Sequence, residues 1–211
     1  GCEYELIVIN NFENNYSIFE AYNIGIEKSI GKYLCFIHDD ILFHTRNWGL
    51  KIKEIFKSDN KIGLIGVAGA KIKTKMPSAW WDCPENKRVV NIIQHVENNK
   101  VEKWELGWRE NKIEEVAVID GVFMVGLRNE KIKFNSENLK GFHNYDLNFS
   151  LEYYKKKYKI VVSKEIILEH FSPGIVDDKW LVSALNFDKH YRKLLPIQIN
   201  KNKEELIDLE L

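Results

Sequence analysis

Apolar residues fall into short blocks along this chain, and the spacing inside the blocks alternates between strand-like and helix-like. Glu5–Ile9 is an apolar, β-branched run that stops at Asn10-Asn11, which predicts a buried strand entering a loop. Ser17 followed three residues later by Glu20 has the form of a helix capping box. Ile18, Tyr22, Ile26 and Ile30 then recur every four residues, one face of an amphipathic helix. Gly31 is expected to end it in a left-handed turn. Tyr33–Ile37 predicts a second buried strand, with His38, Asp39 and Asp40 at its carboxyl end. A helix over 47–57 and a strand over 62–67, closed by Gly66 and Gly69, complete the opening.

Strand, helix, strand, helix, strand is the pattern of a mainly parallel α/β sheet flanked by helices. Such sheets bind ligands outside the carboxyl ends of their strands, which is where the His-Asp-Asp cluster falls. Beyond residue 70 the pattern loosens. Residues 71–114 read as a lid or insert, with Trp80-Trp81, a strand candidate at Val89–Ile93, and Trp104 and Trp108 in a charged stretch. Further strands are expected at 115–119, 122–127, 160–162 and 166–168, and helices over 145–157 and around Trp180–Tyr191. No internal repeat interrupts this order. Residues 1–195 are therefore expected to form one domain, followed by a charged tail over 196–211.

Composition narrows the partners. Lysine plus arginine and aspartate plus glutamate number 31 each, so there is no global positive field for a polyanion and nucleic acid is not expected. Three cysteines without framework spacing fit a reducing compartment. The first residues lack the basic region of a signal peptide, and the longest apolar run, Ile62–Ala70, is too short to cross a bilayer. A cytoplasmic protein is expected, with peripheral contact at the inner face of a membrane left open. Six tryptophans are many for a packing domain, since tryptophan stacks on sugars and bases as well as filling cores.

Three constellations could carry chemistry. Adjacent carboxylates at Asp39 and Asp40 repel unless a cation or solvent intervenes, and Mg²⁺ or Mn²⁺ suits such oxygens. The alternative is a cap for the following helix plus one solvated acid. His170, in Glu169-His-Phe-Ser-Pro-Gly174, again follows a strand, and is either a ligand or a hydrogen-bonded structural histidine. Asp146 follows His143 at a helix start, where the dipole stabilises its anion with or without catalysis.

In this order the residues carry a resemblance. Asn23-Ile-Gly25, Gly31, the strand ending at His38-Asp39-Asp40, and Ile62–Gly69 resemble the family 2 glycosyltransferase pattern, in a bacterial glycosyltransferase-like branch with His-x-Asp in place of Asp-x-Asp. Asp120-Gly-Val-Phe-Met124 resembles its acceptor-side segment. Tyr145-Asp-Leu-Asn148 is similar to the stretch that supplies the base, with tyrosine and asparagine where acids are usual.

The resemblance implies a GT-A fold and a metal-dependent, inverting transfer from a nucleotide-sugar donor to a carbohydrate or lipid-linked acceptor, as in polysaccharide biosynthesis. It implies Asp40, His170, His38 and Asp39 as ligands of Mn²⁺ or Mg²⁺, and Asp146 as the base. Asn10, Asn23, His38 and Asp39 would line the nucleotide-sugar cleft. Trp80, Trp81, Trp108, Asp120, Gly121 and His143 would face the acceptor. The family pattern also begins with an earlier strand that reads the nucleobase, and this chain opens at the strand after it. Two other readings stay open: a catalytically impaired carbohydrate-binding or scaffolding module, and a nucleotidyltransferase, which would need a glycine-rich phosphate loop that the sequence lacks.

Overall fold

The computed structural model describes residues 2–174 and 176–199. Helices are α1 (Ile18–Lys28), α2 (Trp48–Ser58), α3 (Tyr145–Lys155) and α4 (Asp178–Tyr191). Strands are β1 (Tyr33–Ile37), β2 (Ile41–Phe43), β3 (Ile62–Gly66), β4 (Ala68–Ala70), β5 (Ile72–Lys73), β6 (Arg88–Val96), β7 (Lys100–Leu106), β8 (Ile113–Val116), β9 (Val118–Ile119), β10 (Phe123–Leu127), β11 (Lys159–Ser163), β12 (Leu168–His170) and β13 (Ile197–Gln198).

The first sheet has the order β1-β10-β3-β11-β8. Strand β10 runs antiparallel to both β1 and β3, β11 is parallel to β3, and β8 is antiparallel to β11. Strands β1, β3 and β11 thus share one direction, but only one neighbouring pair is parallel. The sheet is mixed, where a mainly parallel one was expected. The cause is β10, which arrives late in the chain and inserts between the two strands that the α2 crossover connects.

Side-chain alternation on β1 explains the layering. Phe36 meets Tyr22 of α1 and Phe149 of α3, with ring centroids 4.7 and 5.3 Å away. Tyr33, of opposite parity, stacks on Phe56 of α2 at 4.8 Å. Helices α1 and α3 therefore cover one face and α2 the other. Strand β3, buried at every position, lies between the layers.

A second, six-stranded sheet has the order β2-β12-β6-β4-β9, with β7 paired to β6. Strands β3 and β4 form one extended run that turns between sheets at Val67, and β8 and β9 do the same at Ala117. These runs cross so closely that a Cβ on Gly69 would lie 2.4 Å from the Val118 carbonyl oxygen. Residues 71–114, expected as a lid or insert, supply β5, β6, β7 and the start of β8, with β6 between β12 and β4. Strand β13 pairs with β5. The rest of the expected tail, residues 200–211, lies outside the described residues.

Two local expectations need correction. Glu5–Ile9 joins no sheet, and Leu6 and Val8 are exposed. An extended segment becomes a strand only with a ladder partner, and Glu5 instead accepts hydrogen bonds from the Ile30 and Gly31 amides. The Ser17–Glu20 capping box is present, but α1 ends at Lys28 with an extended Ser29 cap. Gly31 is not left-handed. The guanidinium of Arg128 satisfies the carbonyls of Ile26, Ser29 and Gly31 there, so no left-handed cap is required.

Candidate functional site

The carboxyl ends of β1 and β12 meet at the mouth of the first sheet. His38 leaves β1 with its amide donating to the Val122 carbonyl, and Asp40 leads directly into β2. A strand follows Asp40, so the helix-cap alternative is removed. The Phe171 amide donates to the Asp40 carbonyl at 3.0 Å, which joins the two loops.

Three donor atoms converge there. His38 Nδ1 lies 3.2 Å from His170 Nε2 and 3.7 Å from Asp40 Oδ1, and His170 Nε2 lies 3.5 Å from Asp40 Oδ1. Ligands at ~2.0–2.3 Å from one ion stand about 3–3.7 Å apart in octahedral or tetrahedral geometry, so these atoms fit one face of a coordination sphere. Among the described residues this is the one group of histidine, cysteine or acid side chains close enough to share an ion. His38 and Asp40 are about one-third exposed, leaving the outer face open to solvent or substrate.

The electrostatics suit ligation. Burial lowers the pKa of His170 and outweighs the nearby Asp40 carboxylate, so the ring is neutral with a free lone pair. Burial opposes the charge on Asp40, but the Ser172 hydroxyl and the two imidazoles prevail and hold its pKa below the usual value. His170 Nδ1 contacts Gln94 Oε1 at 3.0 Å, and His38 Nε2 contacts the Tyr145 hydroxyl at 2.7 Å. Each imidazole therefore has a partner on its far side, as ligand rings commonly do.

Tyr145 can reach His38 because residue 121 is glycine: a Cβ there would sit 2.3 Å from the phenol oxygen. The next residue, Asp146, is in the first turn of α3. Burial raises its pKa to about 7, the neighbouring Asp120 carboxylate adds to the rise, and the Leu147 and Gly121 amides work against it. Asp120 is itself fixed, accepting from the Trp80 indole through Oδ2 and from the Val122 amide through Oδ1. Trp80 is buried and packs edge-on against Trp81, a residue that is 39% exposed. The loop carrying both follows Lys73, whose buried ammonium donates to the Thr74 and Met76 carbonyls and the Ser78 hydroxyl.

A profile described as "Glycosyltransferase like family" matches residues 1–195. The chain belongs to this glycosyltransferase-like family. No curated protein matches it. A similar solved structure is the crystal structure of A197 from STIV, 14% identical, with a TM-score of 0.40, over 72% of this chain and 64% of that one. The mixed α/β architecture of this family member is the GT-A fold. Divalent cations are common in GT-A glycosyltransferases, and the His38, Asp40 and His170 group could hold one. Among the described residues no helix is long and apolar enough to cross a membrane.

Within this glycosyltransferase-like chain, His38, Asp40, His170, Tyr145, Asp146, Asp120, Gly121 and Trp80 gather at one place. The other expected residues are elsewhere or differently engaged. Asp39 is exposed and outside the converging group. Asn10 is exposed, its side-chain oxygen accepting from the Phe12 amide. Asn23 joins α1 to the 134–136 loop, donating to the Phe134 carbonyl and the Ser136 hydroxyl and accepting from the Phe134 amide. It also lines an open groove of about 500 Å³ with Tyr16, Glu20 and Lys133. The Trp108 indole donates to the Val90 carbonyl at 2.7 Å. His143 stands 3.8 Å from Asp177 at the start of α4. Gln94 and the hydroxyl role of Tyr145 were missed. Their partners are 76 and 107 residues away, and no local motif marks either.

Proposed function

We propose that this chain is a metal-dependent inverting glycosyltransferase, moving a sugar from a nucleoside-diphosphate donor to a hydroxyl of a glycan or lipid-linked acceptor. The supporting observation is the convergence of His38, Asp40 and His170 beside Asp146, an acid whose pKa is raised to about 7. Two imidazoles and one carboxylate favour Mn²⁺ over Mg²⁺, which prefers an all-oxygen shell. When bound, the cation would supply positive charge against the donor diphosphate.

The protein's own groups divide the remaining work. Asp146 accepts the acceptor hydroxyl proton as that oxygen attacks the anomeric carbon. The carbon–oxygen bond to the diphosphate breaks with its electron pair, on the side opposite the attack, so configuration inverts. Burial, with a smaller contribution from Asp120 held by Trp80 and the Val122 amide, keeps the pKa of Asp146 high enough for proton transfer near neutral pH. Trp81 offers an exposed ring on which an acceptor sugar can stack. A lipid-linked acceptor would bring the protein to the inner face of a membrane without a spanning helix.

Thermal denaturation tests the proposal. Mn²⁺ together with one of a panel of nucleoside diphosphates should raise the melting temperature by more than the sum of their separate effects. Additive shifts across the whole panel count against a shared metal–diphosphate site. Glycan binding without metal or nucleotide, and with no donor turnover, supports a binding module instead.

A further inference from the structure

We infer that Gln94 is a positioning residue that fixes the tautomer of His170 and thereby presents its Nε2 lone pair to a metal ion. The inference rests on reading His38, Asp40 and His170 as ligands.

Strands β6 and β12 are parallel, and Gln94 stands opposite His170 in register, so the two side chains share a face. The Gln94 side chain is buried, and every polar atom of its amide has a partner. Its nitrogen donates to the His95 carbonyl at 2.7 Å and to the Ser172 carbonyl at 2.9 Å. Carbonyl oxygens only accept, so the amide has one orientation. Its oxygen must then face His170 Nδ1, 3.0 Å away. An amide oxygen only accepts as well, so Nδ1 carries the hydrogen. A neutral imidazole has one protonated nitrogen, which leaves Nε2 as a lone pair. That atom is the one facing His38 Nδ1 and Asp40 Oδ1.

The same amide reaches a second ligand indirectly. By holding the Ser172 carbonyl it fixes the turn whose hydroxyl lowers the pKa of Asp40 and stands 3.5 Å from His170 Nε2. Glutamate at 94 would preserve the acceptor for His170 but leave the His95 and Ser172 carbonyls without their donor. Methionine, of similar length, would remove acceptor and donors together.

The test uses the whole chain in two measurements. Nitrogen-15 imidazole spectra of the metal-free protein report the His170 tautomer, and Mn²⁺ titration followed by paramagnetic resonance reports affinity. Wild-type His170 should carry its hydrogen on Nδ1. Gln94→Met should give mixed tautomers and bind Mn²⁺ about 10–100-fold more weakly, the usual cost of losing such a partner. Gln94→Glu should keep the Nδ1–H tautomer and lose clearly less affinity than Gln94→Met, because a carboxylate accepts the same hydrogen although the Ser172 carbonyl loses its donor. Wild-type affinity in Gln94→Met, or equal losses in both variants, overturns the inference. Should Gln94→Met not fold, the wild-type tautomer decides: Nε2–H on His170 overturns the inference and Nδ1–H supports it. Wild-type protein that binds no Mn²⁺ overturns the ligand reading itself, which is a different failure from binding that is indifferent to residue 94.

Discussion

Each face of strand β12 carries a cluster of three residues, two histidines and one acid, arranged to opposite effect. On the site face His38, His170 and Asp40 direct donor atoms at one another, 3.2–3.7 Å apart. On the reverse face Glu169 stands between His44 and His95, with Oε2 2.8 Å from one ring and Oε1 2.7 Å from the other. The reverse cluster is complete as it stands, each imidazole having its own carboxylate oxygen. The site cluster turns His38 Nδ1, His170 Nε2 and Asp40 Oδ1 toward a common point, and Gln94 and Tyr145 hold the far sides of its rings. Residue type alone does not mark a candidate metal site. Convergence does, together with partners on the far side of each ring.

The largest expected effect breaks this contrast in one step. Asp40→Asn removes the anionic ligand and should weaken Mn²⁺ by more than the ~100-fold upper cost of an outer partner, with transfer activity falling in parallel. The same chemical change on the reverse face, Glu169→Gln, should leave Mn²⁺ affinity within about threefold of wild type. Calorimetric titration of both variants measures this. Equal losses would mean that the two faces act as one electrostatic unit and that convergence is not what matters.

Asp146 sharpens the contrast by separating chemistry from ligation. Asp146→Asn should reduce transfer ~10²–10⁴-fold while Mn²⁺ and nucleotide still bind. In the wild type, turnover should rise with pH through about 7, as the carboxyl becomes able to accept a proton. Stability should move the other way. A folded pKa raised above the ordinary 3.8 gives stability that is complete below about pH 4 and lost as pH climbs through about 7. Asp146→Asn should therefore be more stable than wild type at alkaline pH, by on the order of 1–4 kcal/mol, and equal to it in acid. Paired denaturant titrations at the two extremes check the sign. A variant less stable than wild type at alkaline pH would refute burial of the charged form.

Much of the fold is written locally, and the parts that are not have a common cause. The capping box and four-residue period place α1, and the unbroken apolar runs place β1, β3 and β10, because each is stabilised by its own sequence pattern. His38, Asp40, Asp146 and His170 were legible as polar residues closing or following such runs. Pairing was not legible: β10, which begins at Phe123, enters between β1 and β3, which ends at Gly66, and no local pattern encodes that neighbour. Glu5–Ile9 shows the converse, a strand-like sequence with no ladder partner. Asp39 and Asp40 are neighbours of the same type, and only the turn into β2 decides which one faces the histidines. Gln94 escaped because an amide among apolar residues reads as an interruption of β6, and its meaning comes from His170 across the parallel register.

The smallest expected effect concerns the reverse cluster alone. The hydrogen bonds from His95 and His44 hold the Glu169 carboxyl below its ordinary pKa of 4.5. A depressed folded pKa contributes stability that is present above the unfolded value and lost as pH falls through the folded one. Glu169→Gln should therefore melt slightly below wild type at neutral pH, with the gap closing as pH falls below the ordinary 4.5 and the wild-type carboxyl takes up its proton. The effect stays small because the cluster is only partly buried, with the His44 and His95 side chains 42% and 26% exposed, so water and salt compete for the same charges. Adding His44→Gln to Glu169→Gln should cost less than it does in the wild-type background, since the partner is already gone. Melting curves of the two single variants and the double, in low and high salt, measure that coupling. Full additivity in low salt would show that the two rings and the carboxylate are neighbours without being a network.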